Sequence, residues 1–166
     1  MDKISQKIHP FLWFDTQAEE AAHYYVSIFP NSSIGPITRF GEGGPGPKGG
    51  VMTVAFQLEG QQFVALNGGP LYKINEAVSF LVHCDNQAEV DHYWERLSEG
   101  GQPIQCGWLK DRFGVTWQVV PRALFRLLAD PDPEKAARVT RAFMPMKKLD
   151  IAQLEASWRV EQVPSS

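Results

Sequence analysis

Residues 9–19, HPFLWFDTQAE, return as residues 79–89, SFLVHCDNQAE, at an offset of 70 positions counted from Asp15 to Asp85. Each copy opens on a short run rich in Phe, Leu, Val or Trp, which is strand composition, and closes on a DxQAE run that starts a helix. Asp15 and Asp85 are the residue type that caps a helix N-terminus. After the first copy, AEEAAHYYVSIF places Ala21, Tyr24, Tyr25 and Ile28 on one face. After the second, EVDHYWERL places Val90, Tyr93, Trp94 and Leu97 on one face. Pro30-Asn31 and Gly100-Gly101 are stop signals for the two helices.

Strands follow both helices. In the first half they are SIGPITRF, VMTVAFQL and QQFVAL, with a turn at Glu59-Gly60. In the second half they are QPIQCGWL and FGVTWQVV, flanking the polar turn LKDRFG, with one short strand lost or merged. Each half therefore reads β-α-β-β-β. A half has one helix and one apolar sheet face, too little to bury itself well, so two halves side by side are expected to close a sheet around a shared cavity. The expected fold is α+β: a single domain over residues 1–166, with modules at about 5–70 and about 75–121.

The tail, about residues 121–160, leaves the repeat and reads as three short amphipathic helices. PRALFRLLAD carries Leu124, Leu127 and Leu128. DPDPEKAARVTRAFM has Asp132 as cap, Pro133 in the first turn and Glu134 at the positive end of the dipole. DIAQLEASW has Asp150 and Gln153 at capping-box spacing, with Ile151, Leu154 and Trp158 on one stripe. These stripes must pack on the sheet or on a partner subunit.

The bulk numbers fit a soluble globular chain: 166 residues, 43% apolar, 21% charged and a net charge of −3. Lys147-Lys148 is the only adjacent basic pair, so charge argues against nucleic-acid binding. The opening MDKISQKIHPFLWF has no signal-peptide core, and no apolar run approaches the ~20 residues a membrane span needs. Cys84 and Cys106 lack CxxC spacing and read as reduced thiols. A cytoplasmic protein with no membrane partner is the expectation. The glycine-rich run GEGGPGPKGG, residues 41–50, fails as a phosphate or S-adenosylmethionine loop. Such a loop opens a helix, whereas Pro45 and Pro47 forbid one here and a strand follows.

The paired β-α-β-β-β halves, KIHPFLWFDTQAEEAAHYYVSIFP, the hairpin CGWLKDRFGVTWQVVP and the tail MKKLDIAQLEASW together resemble the PhnB-like branch of the vicinal oxygen chelate superfamily. That superfamily includes glyoxalase I, bleomycin- and fosfomycin-resistance proteins and extradiol dioxygenases. The resemblance implies a glyoxalase/bleomycin-resistance-like open barrel with C-terminal helices. Many members of the branch carry the domain name 3-demethylubiquinone-9 3-methyltransferase, but nothing in this sequence supports methyl transfer.

In the metal enzymes of that superfamily the ligands are His, Gln or Glu on the first and last strands of each half. The resemblance maps the first-strand positions to Ile8 and Val78, which cannot bind a metal. On the last strands it gives Gln118, four residues after Gly114, and Ala65 or Asn67 in the first half. The expected cofactor is therefore none. The alternative is a divalent metal ion held by His9, His83 and Gln118.

With parity fixed at Ile8, Val78 and Gln118, the inward residues should be Leu12, Phe63, Phe80, Val82 and Thr116, with Trp108 and Phe40 at the rim. Trp13 and Trp117 should then fill the space under the helices. Such an apolar wall with a few polar handles suits a small apolar or aromatic compound. The first functional expectation is a small-molecule-binding protein with a degenerate metal site, and the resemblance adds a homodimer. The second is a metal-dependent lyase, isomerase or dioxygenase using His9 and Gln118. The third is a structural dimer whose cavity is filled by side chains. Asp111, in the turn, reads as solvated.

Overall fold

The computed structural model describes residues 6–159 and comprises two compact units, Met1–Asn75 and Glu76–Ser166. The expected limits at residues 5 and 160 lie just outside the described residues. Each unit holds one four-stranded mixed sheet, and the fold is α+β.

The first unit runs β1 (Phe11–Phe14), α1 (Ala18–Ile28), β2 (Ser33–Arg39), β3 (Val51–Leu58) and β4 (Gln61–Asn67). Its sheet order is β1-β4-β3-β2, with β1 parallel to β4 and the other pairs antiparallel. The four expected helix-face residues Ala21, Tyr24, Tyr25 and Ile28 are all buried. Tyr25 stacks on Phe56 of β3, which marks the helix-covered face of the sheet. Glu59 and Gly60, at φ 49° and 86°, close a tight β3–β4 hairpin of the primed kind. Asp15 does not cap α1. Asn67, at the end of β4, does so from a distance: its Oδ1 accepts from Ala18 N at 2.8 Å and its Nδ2 donates to Val51 O at 3.0 Å. The glycine-rich run joins β2 to β3 and folds over the ring of Phe40, where a Cβ on Gly46 would collide with that ring.

The second unit runs β5 (Ser79–Cys84), α2 (Gln87–Ser98), β6 (Gln102–Pro103), β7 (Trp108–Lys110), β8 (Thr116–Pro121), α3 (Arg122–Leu128), α4 (Pro133–Phe143) and α5 (Ile151–Arg159). The order β5-β8-β7-β6 repeats that of the first sheet, with β5 parallel to β8. The short strand expected to be missing is present. QPIQCGWL is not one strand but the β6–β7 hairpin, turned by Cys106 and Gly107 at φ 61° and 83°. Asn86, one residue beyond Asp85, caps α2: its Oδ1 accepts from Glu89 N, while Glu89 Oε2 accepts from Asp85 N. Asp85 itself pairs with Arg122.

The tail caps stand where the sequence puts them, Asp132 on Glu134 N and Asp150 on Gln153 N. The apolar stripes do not wait for a partner. Leu124, Leu127, Val139, Leu149 and Leu154 form a buried cluster with Val120, the penultimate residue of β8.

Candidate functional site

The ladder register of the second sheet sorts its side chains into two faces. Leu109, Trp117, Val119 and Cys84 fall on one, all buried against the side where α2 packs. On the other, Ser79, Thr116 and Lys110 lie level across β5, β8 and β7. Leu81, Gln118 and Trp108 form the next row of that face. The structure thus brings Gln118, Thr116 and Trp108 onto one surface.

Phe80 and Val82 are not on it. They alternate to the α2 side, where the Phe80 ring packs on Trp117 at 5.5 Å. In the first sheet, Leu12 and Phe63 are likewise on the helix-covered face, level with Ala65 and Phe56. Trp13, expected beneath α1, is on the opposite face. Its Nε1 donates to Gly69 O and its ring meets Tyr72 edge-on at 5.0 Å. Phe40 is buried under the 41–50 loop rather than set at a rim. For the β1 and β5 residues the cause is shared: alternation from Ile8 and Val78 predicts the other face, but β1 begins at Phe11 and β5 at Ser79. The two-residue alternation holds only inside a strand.

Gln118 donates from Nε2 to Ser79 Oγ at 2.9 Å. The Thr116 hydroxyl is fully buried and has no hydrogen-bond partner among the described residues. Lys110 Nζ meets Glu76 Oε2 at 3.2 Å. A backbone hydrogen bond within Glu76, then Lys110, hold that carboxyl below its usual range. No local sequence signal marks Ser79, Lys110 or Glu76. Only the strand pairing reveals them, although the 70-residue offset does align Ser79 with His9.

Asp111 contradicts the expectation of a solvated turn residue, being only 3% exposed. Its Oδ1 accepts from Phe113 N and Val115 N, and its Oδ2 from Trp117 Nε1 at 2.8 Å. It clamps the β7–β8 turn and so sets the register that carries Gln118.

The structure also bears on the metal positions. Level with Gln118, counted by strand pairing from the repeat, the first sheet has Val64 rather than Ala65 or Asn67. Both ends of the Asn67 amide serve α1 and β3. His83 shares the face of Gln118 but lies level with Val120, and its ring packs on Phe125 at 5.5 Å. His9 precedes β1, with a buried Nε2 that has no hydrogen-bond partner among the described residues. Among the described residues no three His, Cys, Asp or Glu side chains gather to hold a metal ion. A neutral amide bonded to a serine, with valine as its counterpart, does not fit the donor set of the superfamily's metal centres. Burial pushes the Cys84 thiol up to about 12, with Glu89 and Asp85 adding to the effect, so it is no nucleophile at neutral pH.

Over residues 6–120 the sequence matches the family model described as 3-demethylubiquinone-9 3-methyltransferase. A PhnB protein from Bacillus cereus, whose structure carries that same description, is 34% identical, with a TM-score of 0.64 over 70% of this chain and 99% of its own. A protein from Pseudomonas aeruginosa is 25% identical, with a TM-score of 0.59 over 70% of this chain and 98% of its own. A glyoxalase-related enzyme from Fulvimarina pelagi is 11% identical, covering 72% of this chain and 91% of its own, with a TM-score of 0.45. No curated protein matches. The chain belongs to the 3-demethylubiquinone-9 3-methyltransferase family, the PhnB-like group.

Proposed function

We propose that this PhnB-like protein binds a small organic molecule without a metal ion, on the face of the second sheet that α2 leaves uncovered. Gln118 and Ser79 supply the polar handle, Thr116 a hydroxyl, and Trp108 with Leu81 the apolar wall. One observation carries the reading. Three polar side chains from neighbouring strands share a face with a half-buried Trp, and one of them, Thr116, is buried with its hydrogen bonding unmet. A buried hydroxyl without a partner costs about 1–3 kcal/mol, a cost that a ligand acceptor would remove.

The family name brings methyl transfer to mind. The glycine-rich run, which links two antiparallel strands, gives that chemistry no support. We further propose a cytoplasmic homodimer with no nucleic-acid or membrane partner. No helix among the described residues is long and apolar enough to cross a membrane. Dimerisation is supported by large apolar side chains exposed at repeat-equivalent positions just before β1 and β5, Ile8 86% and Val78 65%.

The test is a thermal-shift screen of small aromatic and aliphatic compounds on tag-free protein, run beside elemental analysis for Zn, Ni, Mn and Fe. A hit whose stabilisation disappears in Gln118→Ala, in protein free of stoichiometric metal, is the expected result. One equivalent of metal that is lost in His9→Ala or Gln118→Ala would overturn the proposal in favour of a metal-dependent enzyme.

A further inference from the structure

We infer that the molecule held on this face is an amphipathic acid, a small carboxylate with a flat apolar body; the inference rests on the binding face proposed above. The two rows of the face differ in chemistry. Ser79, Thr116 and Lys110 make a row of two hydroxyls and an ammonium group. Leu81, Gln118 and Trp108 make the next row, which is apolar at both ends.

Every member of the first row has a hydrogen to give. Ser79 Oγ already accepts from Gln118 Nε2, which leaves its own O–H free to donate. The Thr116 hydroxyl is buried and without a partner among the described residues. Lys110 has three donors and no acceptor capacity. Its ion-pair partner among the described residues, Glu76, comes from the segment before β5 and is 66% exposed, so that pair is weakly held. A row of donors with one positive charge calls for an anionic acceptor, because charge-assisted hydrogen bonds are the stronger kind. The protein already places a carboxylate on Lys110, namely Glu76, and a ligand carboxylate would displace it.

The second row sets the body of the ligand. Successive residues on one face of a strand are about 7 Å apart, so a head on the first row leaves an aromatic ring beside Trp108 and Leu81. That spacing suits a phenyl carboxylate, whereas a cationic head there would meet the Lys110 ammonium, with Glu76 already engaged by it.

The experiment is a titration of the full chain with benzoate, benzyl alcohol and benzylammonium, followed by two-dimensional amide NMR. The Gln118 side-chain amide and the backbone amides of Ser79, Lys110 and Thr116 are the reporters. Benzoate should move these resonances at concentrations at least about tenfold lower than benzyl alcohol, and benzylammonium should leave them unmoved. Lys110→Met, which keeps the stem and removes the charge, should weaken benzoate about tenfold, whereas Glu76→Gln should strengthen it several-fold by freeing Lys110. If benzyl alcohol moves the same resonances as readily as benzoate, or Glu76→Gln changes nothing, the acid is the wrong class and the binding face stands. If all three probes leave these resonances still, the acid fails together with the binding face.

Discussion

Level with Phe11 on the last strand of the first sheet stands Val64; level with Leu81 in the second stands Gln118. The two sheets have the same strand order, the same parallel pair and the same helix-side apolar set. They part on the other face. In the first sheet the β1 and β4 residues Phe11, Trp13, Val64 and Leu66 are apolar, while Gln62, Gln57 and Thr53 share the same face. In the second it carries Ser79, Thr116, Lys110 and Gln118. The duplicated backbone constrains what lies beneath each helix, because those side chains must fill a closed space. The opposite face is less uniformly filled, although Thr116 is buried and Val120 joins the tail-helix cluster there, and on it the two halves have taken different chemistry. Even the shared aromatic device varies: Trp13 is met by Tyr72 after β4, while His83, its equivalent, is met by Phe125 after β8.

The sharpest way to break this comparison is at Asp111, which has no counterpart in the tight Glu59-Gly60 turn of the first sheet. Asp111→Ala should cost about 3 kcal/mol or more in urea unfolding, since it strands two backbone N–H groups and the Trp117 indole. A loss below about 1 kcal/mol would mean that the turn holds its own register.

The helix caps come next. Asn67→Ala should cost about 2 kcal/mol because it frees both the α1 N-terminus and Val51 O, a link between strand, helix and neighbouring strand. Asn86→Ala removes a purely local cap and should cost about 1 kcal/mol. Equal losses, measured side by side, would erase the distinction between a cap supplied by the sheet and one supplied by the chain itself.

The smallest effect is one of pH. Cys84 holds its proton in the folded protein up to about 12, whereas a thiol free of such burial releases it near 9.0. Between these values the unfolded state binds fewer protons, so the contribution is whole below about 9 and shrinks as pH rises toward 12. Phe14, the equivalent in the first sheet, brings no such dependence. Cys84→Ala should therefore flatten part of the alkaline decline in Tm, and an unchanged profile would show that burial does not perturb this thiol.

Much of this architecture is legible in the sequence because it is written twice. The repeat at Asp15 and Asp85, the helix faces, the Glu59-Gly60 hairpin and the tail caps at Asp132 and Asp150 all follow from local chemistry and stand in the structure. What local chemistry cannot supply is pairing between distant strands. Asn67 reads as a candidate ligand until β4 is seen beside the start of α1. Ser79 and Lys110 carry no signal until β5 and β7 are seen flanking β8. The face parity went astray for a related reason: Ile8 and Val78 lie ahead of their strands, and no alternation runs through them. Asp111 was missed because a carboxylate in a polar turn looks the same whether it faces water or a buried indole.

On the proposed reading a small molecule sits on the face of the second sheet opposite α2, and not on the corresponding face of the first. Chemical-shift mapping of a thermal-shift hit over both sheets tests it most directly. Perturbations gathered at Ser79, Trp108, Thr116 and Gln118, with the amides of Trp13, Val64 and Tyr72 unmoved, are the expected result. Perturbations gathered around Trp13 and Tyr72, with Gln118 silent, would contradict it.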